Sequence, residues 1–388
     1  MSKQLYILNP HRDDFIWEPL YFRFIKRKAL KKYNYIGNEF QTNNKLKLIF
    51  TDNSSGIVPQ KILNFIPSKL RRIIIKFELK RWAKINNISR KFNIAWLDNK
   101  FDDYELSNIF FFQLTITNKI NSLAPLLKKF KEVYVHLSHY YLDPFYISQV
   151  YKPLSNVYLC GDSNISQHPF FLKYFNWYSN KFILIPFFIS ERFKIINTFN
   201  NRINKIITTG TFHNIEDYPK SLYLKKDLGV TSFHNNRRNI YENKEVLKNV
   251  ITCYNSPWQQ AGSNWFTKWV RSKNVAQKKY FAFDIVEAYN KYTHALVGEE
   301  IGGFLGIGTL EAMACGCMPF ASKNAVVGVI NDIKLYIALH NNNNLSNLSN
   351  LVQSYPNSES LMLVLSNFVR NNFSKEQALQ KFLATFKL

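Results

Sequence analysis

The sequence predicts an α/β protein built from two successive open, parallel-sheet domains, on three observations. Its 388 residues exceed what one ordinary core holds. Short apolar runs of strand length recur, mostly continuous rather than alternating, with stretches of helical length between them. That is how a parallel sheet covered on both faces reads. The pattern restarts after a polar, Asn-rich link, "NTFNNRINK" (197–205).

In the first half the strand-like runs are "LYILNP" (5–10), "LKLIFTDN" (46–53), "FNIAWLDN" (92–99), "NIFFFQLT" (108–115), "EVYVHLSHY" (132–140), "NVYLCGD" (156–162) and "KFILIPFF" (181–188). After the link come "KIITTGTF" (205–212), "NVITCYN" (249–255), "HALVGEE" (294–300) and "CMPFAS" (317–322). Ligands of such sheets sit beyond the carboxyl ends of strands, which directs attention to the loops after Cys160, Thr209 and Glu299. "HNNNNLSNLSNL" (340–351) reads as a polar surface segment, and 359–388 as a closing helical region.

Composition narrows the class. The chain is 46% hydrophobic and 20% charged, as a folded globular protein is. No apolar run is long enough to span a bilayer, and the first residues lack the apolar core of a signal peptide. Cys160, Cys253, Cys315 and Cys317 are too few and scattered for a disulfide framework, so they are expected as small packing residues in a reducing cytoplasm. The net charge of +24 is lopsided: residues 1–205 hold 32 basic and 14 acidic side chains, and residues 206–388 hold 19 and 13. The basic half is expected to meet something polyanionic. A lysine-rich coding bias explains the total but not the asymmetry.

Glycine is scarce except in "GGFLGIGTLEAMACGCMPFAS" (302–322), where four of thirteen glycines fall in the first seven residues. "HALVGEE" is expected as a strand, "IGGFLGIG" as a loop, and "TLEAMACG" as a helix closed by Gly316. Glycines let backbone N–H groups approach an anion, and the amides and dipole of a helix starting near Thr309 favour phosphate. Glu311, one turn into the helix, is placed to accept hydrogen bonds from ribose hydroxyls. A tight strand-to-helix turn with a capping carboxylate fits the glycine spacing equally well.

The whole string resembles the signature of nucleotide-sugar glycosyltransferases of the GT-B fold, particularly the large retaining family 4 (glycosyl transferases group 1), with "LEAMACG" intact at 310–316. "ILIPFFISERFK" (183–194) resembles that family's end-of-first-domain strand and linker. "KIITTGTF" is similar to the opening strand of its second domain. "EVYVHLSHYY" is similar to the strand ending in a histidine that faces the donor sugar. The resemblance spans about 130–322. It implies two Rossmann-like domains facing a central cleft: residues 1–190 on the acceptor side, a linker at 191–204, a nucleotide-sugar-binding domain at 205–370, and a C-terminal helix at 371–388 that packs back on the first domain. It also implies that Gly210, Thr211, Glu299, Gly303, Phe304, Gly306, Ile307, Gly308, Thr309 and Glu311 hold the donor. His136 and His139, expected at the end of a strand, join Glu300 in orienting the sugar as oxocarbenium character develops. Either histidine fits equally as a satisfied buried side chain. The leaving diphosphate would be held by loop amides, the helix start and a cation, with no cofactor and no required metal.

Three departures stand out. The family's two glutamates lie eight residues apart, but eight before Glu311 is Gly303, so Glu300 is expected to take the first role across an insertion. The N-terminal Gly-Gly loop is replaced by "NPHRDDF" (9–15). The Arg and Lys expected after the first strand of the second domain are absent from "GTFHNIEDYP". "HNNRRNIYENK" (234–244) is expected to supply the cation through Arg238 in preference to Arg237, and a solvated pair at a helix start fits both equally.

"SKLRRIIIKFELKRWAKINNISRKF" (68–92) is the second notable stretch. Leu70, Ile73, Ile74, Phe77 and Ala83 follow helical spacing, and Lys69, Arg71, Arg72, Lys76, Lys80, Arg81 and Lys84 fill much of the rest, with Trp82 nearby. This suits a basic amphipathic helix in the plane of an anionic membrane, and equally a helix packed on its sheet with a solvated basic face. Arg71, Arg72, Lys76, Lys80 and Trp82 are the expected membrane and acceptor contacts. No stretch matches a nucleic-acid-binding motif. The resemblance implies a cytoplasmic enzyme, peripheral at the inner face of the cell membrane, that adds sugar to a glycan or glycolipid of capsule or lipopolysaccharide type. The alternative is a catalytically inactive relative, kept as a sugar-nucleotide-binding or partner subunit.

Overall fold

A computed structural model describes residues 4–9, 34–52, 60–85, 94–99, 101, 107–113, 120–258, 283–339 and 347–388. The "NPHRDDF" stretch beyond Asn9 and the side chains of Trp82, Ala83 and Lys84 lie outside that description.

Seven parallel strands form the first sheet: β1 (Gln4–Leu8), β2 (Leu46–Phe50), β3 (Ile94–Trp96), β4 (Ser107–Phe112), β5 (Glu132–His136), β6 (Val157–Gly161) and β7 (Ile183–Leu184), in spatial order β3-β2-β1-β4-β5-β6-β7. Every residue of β4 is buried, as a central strand covered on both faces requires. The second sheet contains β8 (Ile203–Phe212), β9 (Ile251–Pro257), β10 (Tyr292–Ala295), β11 (Met318–Ser322) and β12 (Ile337–Leu339), ordered β12-β11-β10-β8-β9 and also parallel. Both orders reverse direction once, at β1/β4 and at β8/β10. These are the doubly wound switch points beside which such sheets bind ligands.

Two sequence expectations change here. β10 ends at Ala295, not at Glu300, because the backbone beyond it turns to other partners. The carbonyls of Val297 and Gly298 accept from the Thr309 hydroxyl and the Arg237 guanidinium instead of from a neighbouring strand. β12 was not expected, and its three residues were too short to register as an apolar run.

The chain returns to the first domain at its end. In the helix Lys375–Phe386, Phe382 and Phe386 are buried. Phe382 lies edge-on to Tyr35 and Phe110, and Phe386 to Phe110 and Tyr134. Aromatic pairs of this kind add roughly 0.5–1.5 kcal/mol each beyond the area they bury. The last helix therefore ties the second domain's end to the first domain's sheet.

Candidate functional site

The carboxyl ends of the two sheets meet at a cavity of about 320 Å³. The first domain lines it with His136, Ser138, His139 and Asp162, and the strands and helices of the second close the other side.

The cationic member is Arg237, in the helix Asn235–Glu242. Its Nη1 donates to the Thr211 carbonyl at 2.9 Å and its Nη2 to the Gly298 carbonyl at 2.6 Å, while Nε has no partner. No carboxylate forms an ion pair with it among the described residues. Gly210 is what lets it lie there: its φ is +117°, and a Cβ would stand 3.0 Å from the guanidinium. Arg238 faces away, bonded to Glu242 at 2.7 Å and to the Thr231 carbonyl. This corrects the expectation that Arg238 supplies the cation. On a helix, consecutive residues point about 100° apart, so only one of the pair can face the cleft.

The helix Ile307–Ala314 points its N-terminus at the cavity, and its N-cap, Gly306, carries no capping side chain. The helix begins two residues earlier than expected, since the Thr309 N–H already bonds the Gly306 carbonyl at 2.9 Å. Amides of the first turn and the dipole thus face the same space as Arg237. Gly308 permits this approach: a Cβ there would stand 2.8 Å from a Val297 methyl carbon. Ile307 and Glu311 are the half-exposed residues of the helix and both line the cavity.

His136 is buried at the end of β5, its Nε2 3.1 Å from Asp162 Oδ1. Beyond the strand the chain turns at His139, a non-glycine residue at φ 53°, whose Nδ1 lies 2.8 Å from the Tyr141 hydroxyl. The two histidines are therefore not strand neighbours sharing a face. They reach the cavity by different routes, one through the strand end and one through a left-handed turn of the kind that clusters at functional sites. Burial pushes the Tyr141 hydroxyl well up, with the Glu300 charge adding to it, so Tyr141 is a fixed neutral donor beside that carboxylate.

The loop between Glu300 and Gly306 docks on the first domain. The Tyr140 hydroxyl donates to the Gly302 carbonyl at 2.7 Å, and the buried Phe304 ring lies against Gly161 and edge-on to Tyr140. Gly303 has φ +84° and abuts His168, so it serves the docking and does not line the cavity. Thr309 is buried with its hydroxyl toward the Val297 carbonyl, and Glu299 accepts from the Ser322 N–H at 2.5 Å. Burial raises the Glu299 carboxyl, with the Ser322 bonds acting against it. Glu299, Gly303 and Thr309 are thus expected site residues that the structure assigns to holding the loop, and Arg238 is turned away from the cavity. Gly210, Thr211, Glu300, Phe304, Gly306, Ile307, Gly308, Glu311, His136 and His139 come together around one cavity.

Sequence reasoning missed Asp162, Tyr289 and Thr209. Asp162 follows Cys160 by two residues, in a loop the strand pattern had marked. Tyr289 sits on a helix facing the sheet and bonds the Thr209 hydroxyl at 2.9 Å, a pairing of residues eighty apart that carries no local signal.

The 68–85 helix (Ser68–Ile85) lies away from the cavity. Arg71 is folded back onto the Ile66 and Asn64 carbonyls. Arg72 bridges Asp52 at 2.6 Å and Asp98 at 2.8 Å, over the Trp96 ring. These two arginines are held within their own domain, which corrects their assignment as outward contacts. Lys76 and Lys80 are exposed.

Two doubly wound domains meeting at their carboxyl edges have the GT-B plan. No protein-family model matches the chain, and neither does any curated protein. Among solved structures it is similar to S. aureus TarM in complex with fondaparinux, α-GlcNAc-glycerol and UDP, at 14% identity over 75% of this chain and 57% of that one, with a TM-score of 0.40. It is also similar to a glycosyltransferase from Rickettsia africae (13% identity, 100% and 98% covered, TM-score 0.47). A third is HepE from Anabaena in complex with UDP and glucose (9%, 100% and 100%, TM-score 0.47). These likenesses are weak, and the chemistry of the site rests on this chain's own residues.

Proposed function

We propose that the chain is a glycosyltransferase that moves a sugar, with retention of configuration, from a nucleoside diphosphate sugar to a glycan or glycolipid acceptor of a surface polysaccharide. One observation carries this reading: an arginine with no ion-paired carboxylate among the described residues and an uncapped helix N-terminus converge on a cavity that also holds Glu311, Glu300 and two histidines. Arg237 and the first-turn amides would bind the diphosphate, and Glu311 the ribose hydroxyls. Glu300 and His139 would orient the sugar, with His136 fixed by Asp162 beneath them. In the transfer, the bond from the anomeric carbon to the phosphate oxygen breaks and its electron pair leaves with the diphosphate. The acceptor hydroxyl oxygen bonds the carbon, and its proton departs with the leaving phosphate. Charge builds on the diphosphate oxygens, where preorganised positive groups lower the barrier most, so a resident metal is not part of the proposal. The acceptor side would work peripherally at the inner face of the cell membrane, drawn there by the basic half.

A screen across UDP-, GDP- and ADP-sugars for hydrolysis and transfer tests the reading. Turnover of one donor supports it. Tight nucleotide binding without turnover of any would favour the inactive, sugar-nucleotide-binding alternative, and binding of none would end both.

A further inference from the structure

The 68–85 helix carries two apolar stripes, not one. Ile75 and Leu79 are buried in the first domain's core together with Glu78. On the other side Leu70, Ile73 and Phe77 recur at the three- and four-residue spacing of a single helix face and stay 52%, 60% and 63% exposed. The segment just before it adds Ile62 at 55% and Phe65 at 89%. Isolated exposed apolar side chains are ordinary, but five within sixteen residues mark a contact surface. Lys69, Lys76 and Lys80 are exposed, and their spacing sets them in a row along the edge of this stripe. The helix's one acidic residue, Glu78, is on the buried side.

We infer that this stripe inserts into an anionic phospholipid leaflet, with the lysine row on the headgroups and Phe65, Leu70, Ile73 and Phe77 below them. Charge complementarity selects this occupant. The lysine row repeats the excess of 32 basic over 14 acidic residues in this half of the chain, which would repel a second copy of the same face. Apolar side chains flanked by lysine lie in the interfacial plane, their hydrocarbon entering the leaflet while the ammonium groups stay among the phosphates. The inference rests on the membrane part of the proposed function and alters it. Attachment comes from buried apolar side chains that salt does not screen, as well as from charge that it does.

The test uses the full chain and two exposed-surface variants: Phe65→Ser with Ile73→Ser and Phe77→Ser, and Lys69→Ser with Lys76→Ser and Lys80→Ser. Each is measured for flotation with vesicles of phosphatidylcholine alone and of phosphatidylcholine with phosphatidylglycerol, at low and high salt. The parent is expected to float with the anionic vesicles and to keep part of that binding at high salt. The apolar variant should lose about tenfold or more in partition at either salt. The lysine variant should lose the preference for anionic lipid. Parent-like flotation of the apolar variant, or complete release of the parent by salt, overturns insertion while leaving charge-driven attachment standing. A dimer of the parent that the apolar variant abolishes, seen by sedimentation velocity, would assign the stripe to a second copy and also overturn it. Nucleotide titration of the same variants keeps the donor reading separate, since neither set of substitutions touches the cavity.

Discussion

The chain has two positive features, and they differ in kind. Along the 68–85 helix the charge is abundant and visible in any count of residues, and Lys69, Lys76 and Lys80 are exposed. In the cavity it is one arginine and a helix N-terminus, in the half with the smaller excess, 19 basic against 13 acidic. Yet Arg237 stands close enough to buried titratable groups to act on them. It acts on the buried imidazoles of His213 and His234, and both are held below the usual histidine range, chiefly by burial. Net charge locates surfaces that meet large polyanions. It does not locate a site where one half-buried arginine forms no direct ion pair among the described residues, because packing and partner count decide that and neither is written in composition.

The contrast can be broken first at the reacting end of the cavity. Glu300→Gln is expected to lower kcat by about a hundredfold to a thousandfold, the range seen when a group aimed at developing charge is removed. Nucleotide affinity should stay nearly unchanged. Steady-state kinetics with calorimetry separates the two, and an equal loss in both would move Glu300 from the sugar to the nucleotide.

The second test uses pH. Burial, then the charges of His139 and Arg237, lower the His213 pKa from 6.5 to about 4. The native state thus binds fewer protons than the unfolded chain between those values. Stability is full above pH 6.5 and falls as pH drops toward 4, by up to roughly 3 kcal/mol at about 1.4 kcal/mol per unit. Urea unfolding of the parent and of His213→Asn between pH 7 and 4.5 should show a shallower acid loss in the variant. The exposed lysines of the 68–85 helix should contribute nothing to that slope.

A smaller effect sharpens the nucleotide end. Glu311→Ala should weaken nucleoside diphosphate binding by about 1.5–3 kcal/mol, as when charge-assisted hydrogen bonds are lost. The triple lysine variant of the outer helix should leave it unaltered. Parent-like binding by Glu311→Ala would remove the ribose assignment.

These regions also show what sequence can carry. The 302–316 stretch was readable because its chemistry is local: an uncapped helix start and glycines at backbone contacts sit within fifteen residues. Five expected residues of this stretch, Phe304, Gly306, Ile307, Gly308 and Glu311, duly meet at the cavity. Three others in or near it, Glu299, Gly303 and Thr309, do not, since spacing cannot tell a residue that lines a cleft from one that holds the loop. Gly303 against His168 and Glu299 against Ser322 are contacts between distant segments. The 68–85 helix failed differently. Leu70, Ile73 and Phe77 have the spacing of a core face, and so do Ile75 and Leu79 beside Glu78. Periodicity finds a stripe, and only packing decides which stripe is inside. The choice between Arg237 and Arg238 was of the same type, two adjacent arginines with one helix face toward the cleft.

That choice is also the most direct measurement available. Calorimetric titration of a nucleoside diphosphate should be run on the parent, Arg237→Ala and Arg238→Ala. The expected result is a loss of about 1.5–3 kcal/mol for Arg237→Ala, roughly tenfold to a hundredfold in Kd, and parent-like binding for Arg238→Ala. Parent-like binding by Arg237→Ala, or an equal loss in both, would contradict the assignment of this cavity as a diphosphate site.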